Sequence, residues 1–359
     1  MVKILHAADF HLDSAFVSLS DEQARQRRQE SRETVERMVE YANDHGAQLM
    51  LLSGDLFDGD NVYSQTGEQL CAALKRFSGQ VVIAPGNHDS FQMKSAYARI
   101  SWPENVHVFT APTQEQIVFP QYGCTVYGAA FTGEEAPAWQ GFSVTGEDIA
   151  IGVLHGEVGA KNSKYRPISP EDIAKSGLSY LALGHVHQYS GVQMAGKTAW
   201  AYPGCLEGRG FDETGDKGFL FGTVDHSGVD LRFVPFAHRR YALLDVDVTD
   251  HNPLDAILRQ LPLQTENDIY RITLTGETGE GVALGALREE LSPRFYALEL
   301  RDKTHTAEDI WEKQDDDTLR GLFLQELRQQ YEQAGTEEER EKLEQAVRFG
   351  LAAMDNREM

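Results

Sequence analysis

Short apolar runs alternate with amphipathic stretches along the first half of the chain. Residues 3–8, 48–52, 80–84, 124–128, 149–154 and 180–183 are apolar and short enough to be strands buried on both faces. Between the first three, apolar residues recur at helical spacing. Val35, Met38, Val39 and Ala42 mark the core side of a helix over about residues 21–45, opened by a capping box of Ser20 and Gln23. A second helix is expected over about residues 65–77, and a short one begins at Ser169-Pro170, where proline suits the first helical position. Later, strand-like runs at 200–204, 218–224 and 231–236 follow one another without helices. Strands separated by helices, then hairpins, imply an α/β chain with mixed sheets and helices outside them.

The pattern restarts after Ala237. A strand at 241–248, a helix at 253–261, a strand at 269–275, a helix at 282–291 and a strand at 296–301 make a small α/β module. Beyond Lys303, Leu319, Leu322, Phe323, Leu327 and Tyr331 keep helical spacing. Gly335 interrupts it, Thr336 and Glu339 offer a second capping box, and Leu343, Ala346, Val347 and Leu351 continue on another helix. The expected organisation is therefore 1–237, 238–302 and a helical hairpin at 303–359. The hairpin's apolar face either folds back on the protein or docks a partner helix.

Composition adds bounds. The chain has 359 residues, 41% hydrophobic, which suits a large domain with a smaller one. No apolar run reaches the roughly eighteen residues of a membrane span, and Met1-Val2-Lys3 leads directly into the first strand, so neither a membrane span nor a signal peptide is expected. Cys71, Cys124 and Cys205 are odd in number and far apart, as in a chain of the reducing cytoplasm. A net charge of −23 argues against non-specific attraction of the whole surface to nucleic acid, though it leaves room for local binding through metal ions and clustered bases. Arg25, Arg27, Arg28 and Arg32 fall on the early turns of the first helix, where pairing with Glu22, Glu30 and Glu33 is favoured over contact with a polyanion.

What the strands end in changes the picture most. The first runs into Asp9-Phe10-His11, the second into Ser53-Gly54-Asp55, the third into Pro85-Gly86-Asn87-His88-Asp89, another into His155-Gly156, and the last into Gly184-His185-Val186-His187. Each alone is weak, and a lone D-x-H or a single histidine is more often structural. Together they offer Asp9, His11, Asp55, Asn87, His155, His185 and His187, all placeable at one edge of one domain. Residues two apart at a strand end face the same side. This nitrogen and oxygen set without thiolate suits manganese, iron or zinc, and it is too large for one catalytic metal. A two-metal site needs a bridging carboxylate, for which Asp55 is the candidate, between ions about 3.5–4 Å apart. Asp9, His11 and His187 then fall to the first ion, and Asn87, His155 and His185 to the second. His88 remains free to protonate a leaving oxygen or to bind the phosphoryl group.

The order D-x-H, G-D, G-N-H-D, H, G-H-x-H resembles the calcineurin-like metallophosphoesterases over about residues 1–236. The resemblance implies their four-layer αββα sandwich, two facing sheets with helices outside, and their metal ligands and catalytic histidine at the positions above. Within that family, residues 6–13, Gly54-Asp55-Leu56-Phe57-Asp58, residues 180–187, and Pro203-Gly204 followed by Gly208-Arg209, Glu213-Thr214-Gly215 and Lys217-Gly218 resemble the SbcD-type DNA repair exonucleases, and among them the bacterial YhaO-type proteins. That resemblance implies a manganese-dependent 3′–5′ exonuclease acting on DNA, a homodimer with a DNA-contacting capping domain after residue 240, and a C-terminal hairpin docked on an SMC-like ATPase of SbcC or YhaN type. One position departs from it: archaeal and eukaryotic relatives carry histidine where this chain has Asp58. Two other readings remain open, a phosphodiesterase or phosphatase for small substrates such as cyclic nucleotides, and a non-catalytic subunit holding an ATPase. The extra module and tail count against the first, the complete ligand set against the second.

Overall fold

A computed structural model describes residues 1–354 except 60–61, 145, 147, 279–280 and 307–309. Asp60 and Asn61 thus lie outside the described residues. The chain divides into two compact units, residues 1–243, 264–270 and 295–297, and residues 244–263, 271–294 and 298–359.

The first unit contains two six-stranded sheets. One has the spatial order Gly228–Pro235, Gly218–Asp225, Val2–Ala7, Leu49–Leu52, Gln80–Ile83, Val106–Val108, with Val2–Ala7 onward parallel. The other runs Gln193–Ala195, Thr198–Ala201, Tyr180–Gly184, Ile149–His155, Cys124–Gly128, Glu115–Phe119, with its four central strands parallel. Period-two alternation decides what each face meets. Val2, Ile4, Leu49, Leu51 and Val82 pack against Val126, Ile151, Val153, Tyr180 and Ala182, closing the core between the sheets. Leu5, Ala7, Met50, Leu52, Val81 and Ile83 face the other way, onto Val35, Met38, Val39 and Ala42 of the helix Asp21–Asp44 and Leu70 and Leu74 of the helix Ser64–Lys75. The second sheet's outer face, with Ala150, Leu154, Leu181 and Leu183, is covered by Ile173 of the short helix Pro170–Lys175 and by Trp139 and Tyr202. The result is the expected αββα sandwich.

The Ser20 capping box is formed, with Gln23 N–H donating to Ser20 Oγ and Ser20 N–H to Gln23 Oε1. Arg27 pairs with Glu30 as expected, but in the interior. It is fully buried, bonded at 2.7 Å to Glu30 and at 2.7 Å to Glu207 in the loop after the second sheet. The edge strands Val106–Val108, Glu115–Phe119 and Gln193–Ala195 are not among the sequence expectations. They are short or exposed, so burial imposes no strong pattern on them.

The second unit holds most of a three-stranded sheet in the order Tyr241–Asp247, Ile269–Thr275, Ala297–Asp302, with helices Pro253–Gln260 and Leu284–Leu291. Its last helices, Leu319–Gln333 and Glu337–Met354, form the hairpin. Leu324 and Val347 pack with Ile310 and Trp311, and Phe323, Leu327, Tyr331 and Leu351 line this small core. Leu319 and Leu322 do not join it and stay 76% and 60% exposed. At about 100° per residue they point well away from the face shared by Leu324, Leu327 and Tyr331.

Candidate metal centre

Every candidate ligand follows the C-terminal end of a parallel strand: Asp9 and His11 after Val2–Ala7, Asp55 after Leu49–Leu52, Asn87 after Gln80–Ile83, His155 on the end of Ile149–His155, His185 and His187 after Tyr180–Gly184. Three strands come from one sheet and two from the other. The two sheets bring these ends together because the backbone allows an unusually close approach. Gly184 lies against the Ser53 carbonyl so tightly that a Cβ there has no room, and Gly54, at φ +88°, leaves its missing Cβ's space to His155. Asp9, His11 and Asp55 themselves adopt left-handed φ values of 54°, 44° and 50°. Such conformations cost of order 1–3 kcal/mol each, and they persist here where they turn three ligand-type side chains inward.

The side chains form two adjoining groups. In the first, His11 Nε2 and His187 Nε2 approach to 3.2 Å, and Asp9, His11 and His187 offer ligand atoms within 4.8 Å of one another. In the second, Asn87 Oδ1 lies 2.9 Å from His155 Nε2 and 3.2 Å from His185 Nδ1. Asp55 Oδ2 stands between the groups, 3.7 Å from His11 Nε2 and 3.3 Å from His155 Nε2. The remaining bonds orient the set. Asp9 accepts from the His185 backbone N–H at 3.0 Å, Asp55 Oδ1 from the His88 N–H at 3.0 Å, and the Ser53 carbonyl from His155 Nδ1 at 2.9 Å. His155 therefore turns its Nε2 toward the cluster.

Burial and mutual charge set the protonation. Asp9 is fully buried, and desolvation, with the Asp55 charge adding to it, lifts its carboxyl to about 7 against the opposing pull of His155 and His187. Burial also opposes ionisation of Asp55, but His155 and His11 overcome it and hold this carboxyl well below the usual range. Burial would lower His155, yet Asp55 raises it to about 9. Burial drives His11 and His185 down to about 4, leaving both neutral at physiological pH. Among the described residues, neither Asp9 nor Asp55 has a lysine or arginine at ion-pair distance; their charged partners are histidines. Buried carboxyl groups beside imidazoles and an amide oxygen are a donor set that fits divalent cations.

His88 is exposed beside this buried set, its ring edge-on to His11 at 4.8 Å. Its neighbour Asp89 has a different task. It is buried and accepts from the N–H groups of Leu56, Phe57 and Gly86 and from the Tyr97 hydroxyl, which fixes the loops carrying Asp55 and Asn87. The sequence did not reveal which carboxylates support the histidines. Asp58 accepts from His11 Nδ1 at 3.0 Å and Glu213 from His187 Nδ1 at 2.6 Å. The sequence signal for them was the resemblance carried by Gly54-Asp55-Leu56-Phe57-Asp58, Gly208-Arg209 and Glu213-Thr214-Gly215, which assigned these carboxylates no task.

The sequence profile of the family described as "Calcineurin-like phosphoesterase" matches residues 2–189, more than half of the chain, and the chain belongs to that family of metallophosphoesterases. The family binds two divalent metals, which agrees with the donor set just described. Among its relatives, the uncharacterized metallophosphoesterase YhaO of Bacillus subtilis (strain 168) is 31% identical over 271 residues, 72% of this chain and 66% of that protein. The DNA double-strand break repair protein Mre11 of Methanopyrus kandleri is 22% identical over 65% of this chain and 56% of its own length. One component of the nuclease SbcCD of Bacillus subtilis (strain 168) is 27% identical over 32% of this chain and 29% of its own length. The chain thus spans less than two thirds of each of these relatives. No described helix is long and apolar enough to cross a membrane.

Proposed function

We propose that this metallophosphoesterase is a dinuclear-metal phosphodiesterase acting on DNA, a manganese-dependent 3′–5′ exonuclease of DNA repair that works with an SMC-like ATPase. The observation that carries the chemistry is the position of Asp55, whose Oδ2 lies within 3.7 Å of a ligand nitrogen in each group. In this reading Asp9, His11 and His187 would hold one ion and Asn87, His155 and His185 the other, with Asp55 placed to serve both. Bound there, two divalent ions supply Lewis acidity and offset the charge that develops on the phosphoryl oxygens. The chain's own residues do the rest. The Ser53 carbonyl and the Asp58 and Glu213 carboxylates orient the imidazoles. The backbone of His88 fixes Asp55, and its exposed ring delivers a proton to the leaving oxygen of the broken ester.

DNA as substrate is supported by the repair protein and the nuclease among the relatives and by the additional α/β module, which a small-molecule enzyme does not need. The ATPase partner is supported by Leu319, Leu322 and Phe349, which leave apolar surface exposed on the hairpin helices. A homodimer and a cytoplasmic location complete the reading.

The test is cleavage of end-labelled linear duplex and single-stranded DNA with manganese, magnesium or chelator, beside a chromogenic phosphodiester. Manganese-dependent shortening from the 3′ end is expected. Hydrolysis of the chromogenic ester or of a cyclic nucleotide, with DNA untouched in the presence of the ATPase, would overturn the DNA reading in favour of a small substrate. Removal of residues 303–359 is expected to abolish ATPase binding while sparing metal content, and retained binding would refute the docking role.

A further inference from the structure

The histidines of the first group are held differently from those of the second. His11 Nδ1 lies 3.0 Å from Asp58 Oδ1, and His187 Nδ1 lies 2.6 Å from Glu213 Oε1. In the second group, His155 Nδ1 donates to the neutral Ser53 carbonyl, and His185 turns Nδ1 itself toward Asn87 Oδ1. A carboxylate behind an imidazole fixes its tautomer and makes it a stronger donor.

The two supporting carboxylates are joined by one side chain. Arg209 Nη1 reaches Asp58 Oδ1 at 3.1 Å, and Nη2 reaches Glu213 Oε1 at 2.6 Å, while Nε and the Arg209 backbone N–H also bond to Glu213. Arg209 Nη2 also comes within 3.1 Å of His187 Nδ1, but two donors do not bond, and the shorter contact assigns the His187 Nδ1 proton to Glu213. A continuous chain results, from His11 through Asp58, Arg209 and Glu213 to His187, whose two ends aim their Nε2 atoms at each other across 3.2 Å.

We infer that Arg209 is a positioning residue that ties Asp58 and Glu213 together, and so sets the affinity of the Asp9–His11–His187 position for its metal ion without setting that of the neighbouring position. The inference rests on the two-metal reading of the site. Two effects of Arg209 oppose each other. Its charge repels a divalent cation nearby, while its planar fork keeps in register two carboxylates that would otherwise repel one another. The second effect wins because the forked bonds are short and partly buried, and because Glu213, only 4% exposed, has little freedom to find another partner. Asp58 takes part in this frame, so the carboxylate at the position where some relatives carry histidine has a structural task here.

The test measures manganese binding, not activity. Purified full-length wild type, Arg209→Ala, Arg209→Lys and Glu213→Gln are titrated with Mn²⁺, free ion being read by electron paramagnetic resonance, with circular dichroism in chelator as the check of folding. Wild type is expected to bind two ions. Arg209→Ala and Glu213→Gln are expected to weaken one of them by about 10–100-fold and leave the other within a factor of about two. Arg209→Lys, a point charge that cannot bridge both carboxylates, is expected to restore only part of the loss. Tighter binding in Arg209→Ala, equal weakening of both ions in a folded variant, or full rescue by lysine would overturn the inference. A wild type that binds fewer than two ions would instead defeat the two-metal reading beneath it.

Discussion

Two groups of buried charge lie in the first unit, and they are balanced in opposite ways. Around Arg27, all charges are met by the protein itself. Arg27 bonds Glu30 and Glu207 at 2.7 Å each, Arg239 bonds Glu30 at 2.6 Å, and Thr34 and the His238 N–H take the other oxygen of Glu207. At the strand ends, Asp9 and Asp55 are equally buried but face only histidines as charged partners among the described residues. The first group pairs its charges internally, though Arg27 Nε itself has no hydrogen-bond partner among the described residues, and it joins the first helix to the loop carrying Arg209 and Glu213. The second gathers carboxyl groups and imidazoles with no lysine or arginine among the described residues to balance them. The difference teaches that burial of charge alone does not mark a functional site; what marks it is the kind of charge the fold leaves for something else to balance.

The largest expected effects break the second group. Asp55→Ala should reduce phosphodiester hydrolysis by more than the ~100-fold that loss of a partner behind a ligand costs, and reduce bound manganese as well. His88→Ala should lower turnover by about 10²–10⁴-fold while metal content by elemental analysis stays at the wild-type level. The network around Arg27 answers in stability. Arg27→Ala leaves Glu30 and Glu207 buried without it and should cost about 3–5 kcal/mol in urea unfolding, equally with manganese or chelator, because that network needs no ion.

Much of this contrast was legible before any coordinates. Asp9, His11, Asp55, Asn87, His155, His185 and His187 each follow an apolar run, and buried parallel strands give the clearest local signal a chain can carry. The Ser20–Gln23 and Thr336–Glu339 caps were equally local, and both are formed. The supports were not legible, because they join distant parts of the chain. Arg209 meets Asp58 across 151 residues and Arg27 meets Glu207 across 180, whereas Glu30, three residues from Arg27, was a partner that helical spacing could offer. Leu319 and Leu322 misled because apolar residues at near-helical intervals need not share one face over three turns.

Smaller effects sharpen the comparison through pH. His155 titrates near 9 in the folded chain against an ordinary 6.5, so its contribution to metal-free stability is complete below 6.5 and is lost as pH rises through about 9. Asp9, raised to about 7, acts in the same direction, since the folded state keeps a proton that the unfolded chain releases near 3.8. Both protons oppose a cation. Between pH 6.5 and 9, metal-free melting temperature should therefore fall while the rise produced by manganese grows, measured by calorimetry across that range. A manganese effect constant over this range would contradict the assignment. The smallest effect lies outside both groups. Ser20→Ala, which removes the cap of the helix carrying Arg27, should cost about 1 kcal/mol by urea unfolding and leave metal binding unchanged.

The central claim, that the strand-end cluster holds two ions bridged by Asp55, is tested most directly by anomalous diffraction from crystals of the full chain grown with manganese. The account predicts two peaks about 3.5–4 Å apart, one beside Asp9, His11 and His187, the other beside Asn87, His155 and His185, with Asp55 between them. A single peak, or two that share no contact with Asp55, would contradict it.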